Sequence, residues 1–172
     1  MTRSALLEHV HSFTKLEKFS KAFHESLTTT GGFAMNEISV VLQNEIDEIE
    51  RLSEIVSEFG GEHYLSEEFV YAVNLALDEI LTNTISYGYA DKDTHEITVT
   101  LRVLDNELCA EIVDDARAFD PLSAPKADVD LPLEQRNVGG LGIHLARTLM
   151  DEMTYRREQD KNVLLMKKRI VS

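Results

Sequence analysis

The apolar positions of this chain fall into segments of different period, and each predicts an element. "EISVVLQ" (37–43) is a short apolar and polar run rich in β-branched residues and reads as a strand. Over 45–59 the period lengthens, and Ile46, Ile49, Leu52, Ile55, Val56 and Phe59 share one side of a helix. Gly60-Gly61 is expected to end that helix through a left-handed turn. Ser66 predicts the cap of a second helix, with Glu67 and Glu68 in its first turn and its end near Tyr87. "EITVTLRVL" (96–104) alternates Ile97, Val99, Leu101 and Val103 with polar residues, as a half-buried strand does. Asp105-Asn106 turns it back into "ELCAEIVD" (107–114), a hairpin. All three prolines lie in 115–138, a long charged loop of the kind that serves as a lid. A helix at about Leu141–Met150 and strands near 153–158 and 162–170 close the chain.

Residues 1–34 stand apart. Leu6, Val10, Phe13, Leu16, Phe23 and Leu27 recur at helical spacing, and "TTTGG" (28–32) ends the pattern. Four bases there face three acids, giving +1 and leaving −15 for residues 35–172. The organisation expected is therefore a helical arm over 1–34 and a domain over 35–172, with Met35 open as an alternative start. The arm is open to packing on its own domain, docking on a partner, or forming a homodimer.

The whole chain has 172 residues and a net charge of −14, which argues against nonspecific binding to nucleic acid or anionic membrane. Cys109 is the only cysteine, so an internal disulfide and a cysteine-clustered metal site are excluded. No apolar run approaches a membrane span or a signal-peptide core, and a cytoplasmic location is expected.

Three groups of residues suggest chemistry. On the second helix Ala72, Ala76, Glu79 and Asn83 share a face, and the small residues are expected to leave room for a ligand beside the acid and the amide. The bland alternative is a polar stripe in solvent. In the strand 107–114, period two places Asp114 on the face of Leu108, Ala110 and Ile112, where a carboxylate needs a partner. Alternatively it simply caps the turn. "GGLG" (139–142) precedes an amphipathic helix, a plausible backbone cradle for phosphate or a hinge for the lid.

In their order, these groups resemble a set of sequence boxes. "LALDEILTNTISYGY" looks like the Asn box, "VDDARAFDP" the first Gly box and "GGLGIHLARTLMD" the second Gly box of the ATP-binding fold shared by gyrase, mismatch-repair ATPases and histidine kinases. Within that superfamily the chain is similar to the bacterial anti-sigma-factor serine/threonine kinases. The resemblance covers about residues 35–170. It implies an α/β fold of the Bergerat type, an α+β two-layer sandwich with a mixed, largely antiparallel sheet and helices on one face. It also implies ATP and Mg²⁺ as cofactors. Glu79 would be the general base, Asn83 the Mg²⁺ ligand and Asp114 the acceptor for the adenine amino group. Gly139, Gly140, Leu141 and Gly142 would offer backbone N–H groups to the phosphates. Ala116 stands where the first Gly box has glycine, and would be strained if that position needs positive φ. Val138 stands where histidine kinases tend to have another glycine.

The function implied is ATP-dependent phosphorylation of a serine or threonine on a small anti-anti-sigma (STAS-type) partner. The competing reading is a switch that binds ATP and sequesters a sigma factor or controls a phosphatase without transferring phosphate.

Overall fold

The computed structural model describes residues 36–123 and 141–171. Residue contacts divide the chain between Ala34 and Met35, and all the described residues belong to the second unit. The expected arm, most of the proline-bearing loop, Val138, Gly139 and Gly140 lie outside the described residues.

Eight elements follow in order: β1 (Glu37–Gln43), α1 (Asp47–Glu62), α2 (Glu67–Tyr87), β2 (Glu96–Leu104), β3 (Glu107–Asp114), α3 (Leu141–Leu149), β4 (Glu152–Glu158) and β5 (Lys161–Arg169). The strands form one sheet in the order β1-β2-β3-β5-β4, and all four pairings are antiparallel. The expected two-layer α/β sandwich is present, with a sheet that is antiparallel throughout the described residues. Two tight hairpins account for two of the four pairings, since β2–β3 and β4–β5 each turn on two residues with positive φ, Asp105-Asn106 and Gln159-Asp160.

Alternation decides which face is buried. Ile97, Val99 and Leu101 of β2 and Leu108, Ala110 and Ile112 of β3 point into the core. There they meet Leu52 and Val56 of α1, Val73, Leu77 and Leu81 of α2, and Ile143 and Ala146 of α3. The opposite face carries polar pairs such as Ser39 with Thr100 and an ion pair between Arg102 and Glu37. Burying each large core side chain contributes about 1.5–3 kcal/mol, so this layer dominates stability.

The helix α2 starts as its sequence dictates: Ser66 Oγ accepts a hydrogen bond from Phe69 N at 3.2 Å. The helix α1 departs from expectation. It continues through Gly60-Gly61 to Glu62, and the positive φ falls at Tyr64 instead. Gly60 is needed for space, because a Cβ there would lie 2.4 Å from Val70 Cγ2 where α1 and α2 come together. Ala76 also differs from expectation. It is fully buried in the core and so leaves no opening for a ligand.

Candidate functional site

One helix, α2, organises the site by touching two separate segments. Near its C-terminal end Gly88 meets the turn that follows β3: Arg117 N donates to Gly88 O at 3.1 Å, and a Cβ on Gly88 would stand 2.9 Å from Ala116 Cβ. Nine residues earlier, Glu79 reaches the start of α3, where a Cβ on Gly142 would lie 2.0 Å from Glu79 Oε2. At 1.5 Å per residue these contacts are separated by about 13 Å along the helix axis. Asn83 lies between them, one turn from Glu79.

Each polar group is presented in a defined way. Asn83 Nδ2 donates to Glu79 O at 2.7 Å. Since a carbonyl can only accept, the amide nitrogen is committed to the helix and Oδ1 is the atom left for a ligand. Glu79 is half-buried, and among the described residues its carboxylate has no hydrogen-bond partner. Leu141 is the first residue of α3 and half exposed, with Gly142 second.

Asp114 ends the core-facing row of β3 and is 5% exposed. Its Oδ1 accepts from Ala116 N at 3.0 Å and from Asn162 Nδ2 at 2.7 Å. No described residue bonds Oδ2. Burial pushes the Asp114 carboxyl above its usual range, and the bonds from Asn162 and Ala116 pull against that rise. Ala116 is itself buried and its φ is not positive, so the missing box glycine brings no backbone strain.

Sequence reading missed the partners of Asp114. Asn162 faces it across the β3–β5 ladder, donates also to Ala116 O and Arg117 O, and accepts from Tyr155 Oη at 2.9 Å and an Arg157 guanidinium nitrogen at 2.8 Å. The available signal was a polar residue in register with Leu164 and Met166 on the buried face of β5. A second cluster lies beside it. His95 places Nε2 2.9 Å from Asp91 and Nδ1 3.1 Å from Asp115, and its ring stacks on Tyr89 at 4.4 Å. With a carboxylate on each nitrogen, His95 is held protonated above its ordinary value, by Asp91 first and Asp115 second. Burial raises the Tyr89 phenol strongly, and the charges of Asp114 and Asp115 add to it.

Among the described residues no group of three or more acidic, His or Cys side chains is arranged to enclose a metal. A Mg²⁺ shared with phosphate oxygens does not require one, and the amide oxygen of Asn83, unbonded among the described residues, has the hard-donor chemistry such an ion takes.

The fold and the family match together place the chain in the class of ATPase domains. The chain belongs to the family described as the histidine kinase-like ATPase domain, whose model matches residues 42–168. Its similar relatives include the serine-protein kinase RsbW of Listeria monocytogenes, 29% identical over 121 residues that cover 67% of this chain and 74% of that protein. The serine/threonine-protein kinase BtrW of Bordetella bronchiseptica is 29% identical over 96 residues, covering 56% and 68%. Among solved structures, the RsbU and RsbW domains of a Mycobacterium tuberculosis protein share the fold, with a TM-score of 0.56 at 15% identity over 78% of this chain and 32% of that one. No described helix is long and apolar enough to cross a membrane.

Proposed function

We propose that the chain is an ATP-dependent serine/threonine protein kinase of the anti-sigma-factor type, acting in the cytoplasm on a small anti-anti-sigma (STAS-type) partner. The observation that carries this reading is the double contact of α2, with the Asp114 turn at Gly88 and the second glycine box at Glu79. Relatives named as serine-protein kinases support it.

In this reading Asp114 Oδ2 accepts the adenine amino group, while Asn162 and Ala116 N hold Oδ1 so that the carboxylate cannot turn. Asn83 Oδ1 would hold a magnesium ion, which when bound would neutralise phosphate charge. The backbone N–H groups of Leu141 and Gly142 would serve the phosphates, and those of Gly139 and Gly140, outside the described residues, are assigned the same role by the resemblance to the second Gly box. Glu79 takes the proton from the partner's serine hydroxyl as its oxygen bonds to the γ-phosphorus. The bond to the bridging oxygen breaks, and ADP leaves with that oxygen's charge.

The test is Glu79→Gln, which keeps size and removes basicity. Transfer to the partner serine should fall by ~10²–10⁴-fold with Mg-ATP affinity close to the parent's. Transfer at the parental rate would refute the base assignment. A parent that binds Mg-ATP, changes partner affinity with nucleotide and phosphorylates no candidate partner would establish the switch instead.

A further inference from the structure

The glycine at position 142 does something that a phosphate cradle does not require. A Cβ built on it would lie 2.0 Å from Glu79 Oε2, 2.9 Å from Glu79 Cδ and 3.4 Å from Glu79 Cβ. Those are its three nearest atoms, and all belong to one side chain. The backbone of Gly142 has no positive φ, so alanine fits the helix there without strain. Space for the Glu79 carboxylate is therefore what this position has to provide.

We infer that Gly142 is a positioning residue for Glu79: the hollow left by its missing side chain is the seat in which the carboxylate rests. The inference builds on the proposed kinase reading and adds to it the element that fixes where the base stands. Glu79 sits on α2, and along its length an unbranched side chain with three rotatable bonds can point in several directions. Seating it against the first turn of α3 removes most of that freedom. It also ties the position of the base to the helix that begins at the second glycine box. Alanine keeps the backbone N–H that the proposed cradle uses but fills the hollow, so reading the carboxylate itself separates the two roles of this residue.

Gly142→Ala should leave the fold intact, because the only group that must give way is the end of a flexible side chain. Because Gly142 also belongs to the proposed phosphate cradle, Mg-ATP affinity is measured by calorimetry and transfer is compared at saturating ATP. Phosphate transfer should fall by roughly 10²-fold, the cost of misplacing a reacting group by an ångström. In a Glu79→Gln background the same substitution should cost less than about 3-fold more, because the base it displaces is already absent. Carboxyl-carbon NMR of the nucleotide-free protein reads the seat directly: the Glu79 resonance should shift in Gly142→Ala. An unmoved resonance overturns the inference, as does full additivity of the two substitutions. If the parent transfers phosphate to no serine, the kinase reading falls by itself, and the NMR comparison still decides the seat.

Discussion

Asn162→Leu removes the centre of the polar network beneath the proposed base pocket while conserving volume. Asn162 is 7% exposed; the two N–H groups of its amide are shared among three acceptors, and its oxygen accepts two hydrogen bonds. The bond to Asp114 is charge-assisted and buried, and its loss costs about 1.5–3 kcal/mol. The bonds to Tyr155 and to the carbonyls of Ala116 and Arg117 are neutral, and two of those three are longer than 3.1 Å, so together they add about 1–2 kcal/mol. Arg157 is exposed and can turn to water, so its loss adds little. Burying a leucine in place of an amide returns about 1 kcal/mol. The net expectation is about 2–4 kcal/mol, a large share of the ~5–15 kcal/mol that holds a domain together. Urea unfolding at neutral pH measures it as a midpoint lowered by roughly 1–2 M at unchanged slope. A loss below ~1 kcal/mol would show that Asp114 is held by Ala116 and solvent alone. The double mutant with Asp114→Asn localises the effect, because the neutral amide no longer needs the charge-assisted bond and the two changes should couple by ~1 kcal/mol or more.

Asp114→Asn itself should weaken ATP far more than inorganic triphosphate in calorimetry, since only the base contact changes; equal losses would remove the adenine role. Its carboxyl pKa is raised on folding, so the ionised form costs stability at neutral pH and the cost is relieved as pH falls through the folded value towards the unfolded one near ~3.9. Urea titrations in that window should show the parent gaining on Asp114→Asn, and parallel curves would contradict the shift. Gly88→Ala drives a Cβ to 2.4 Å from Thr84 O and 2.9 Å from Ala116, and should cost about 1–3 kcal/mol with loss of nucleotide binding; a neutral thermal melt would mean the turn is free to retreat. His95 should titrate by NMR above ~6.5 and drop towards it in Asp91→Asn, its ion-paired stabilisation being complete below the unfolded pKa and lost as pH rises through the folded one; a midpoint under 6.5 in the parent would break the two-carboxylate account.

What the sequence disclosed and what it withheld follow from the range of the interactions concerned. Ser66 with Glu67 and Glu68, the alternation of β2 and β3, and the Asp105-Asn106 turn are local signals, and the elements they predicted begin and end where the residues indicated. The row of apolar residues leading to Asp114 was legible for the same reason. Gly60-Gly61 misled because a glycine pair signals either a left-handed turn or a close approach, and the neighbour that decides, Val70, belongs to another helix. Asn162 went unnoticed because its partner Asp114 lies 48 residues away in sequence, joined to it only by strand register. The relation of Glu79 to Gly142 likewise depends on how α2 and α3 pack, which no periodicity encodes. Spacing put Asn83 on the face of Glu79 and the resemblance to the Asn box nominated it as a ligand, but the orientation of its amide needed the carbonyl of Glu79.

The described glycines and the described left-handed residues form two separate sets. Gly60, Gly61, Gly88 and Gly142 all have ordinary backbone angles, whereas the positive φ values belong to Tyr64, Asp105, Asn106, Gln159 and Asp160. Among the described residues Gly60, Gly88 and Gly142 supply clearance, Gly61 faces open space, and side-chain-bearing residues supply the bends. For anyone re-engineering the chain this inverts the usual substitution rules. Alanine scanning of Gly60 or Gly142 reports on the neighbouring helix, whereas at Gly88 the added Cβ also meets the Thr84 carbonyl of its own helix. The two hairpin turns, by contrast, are where glycine could be added at little cost, because each already bends in the direction glycine favours and carries none.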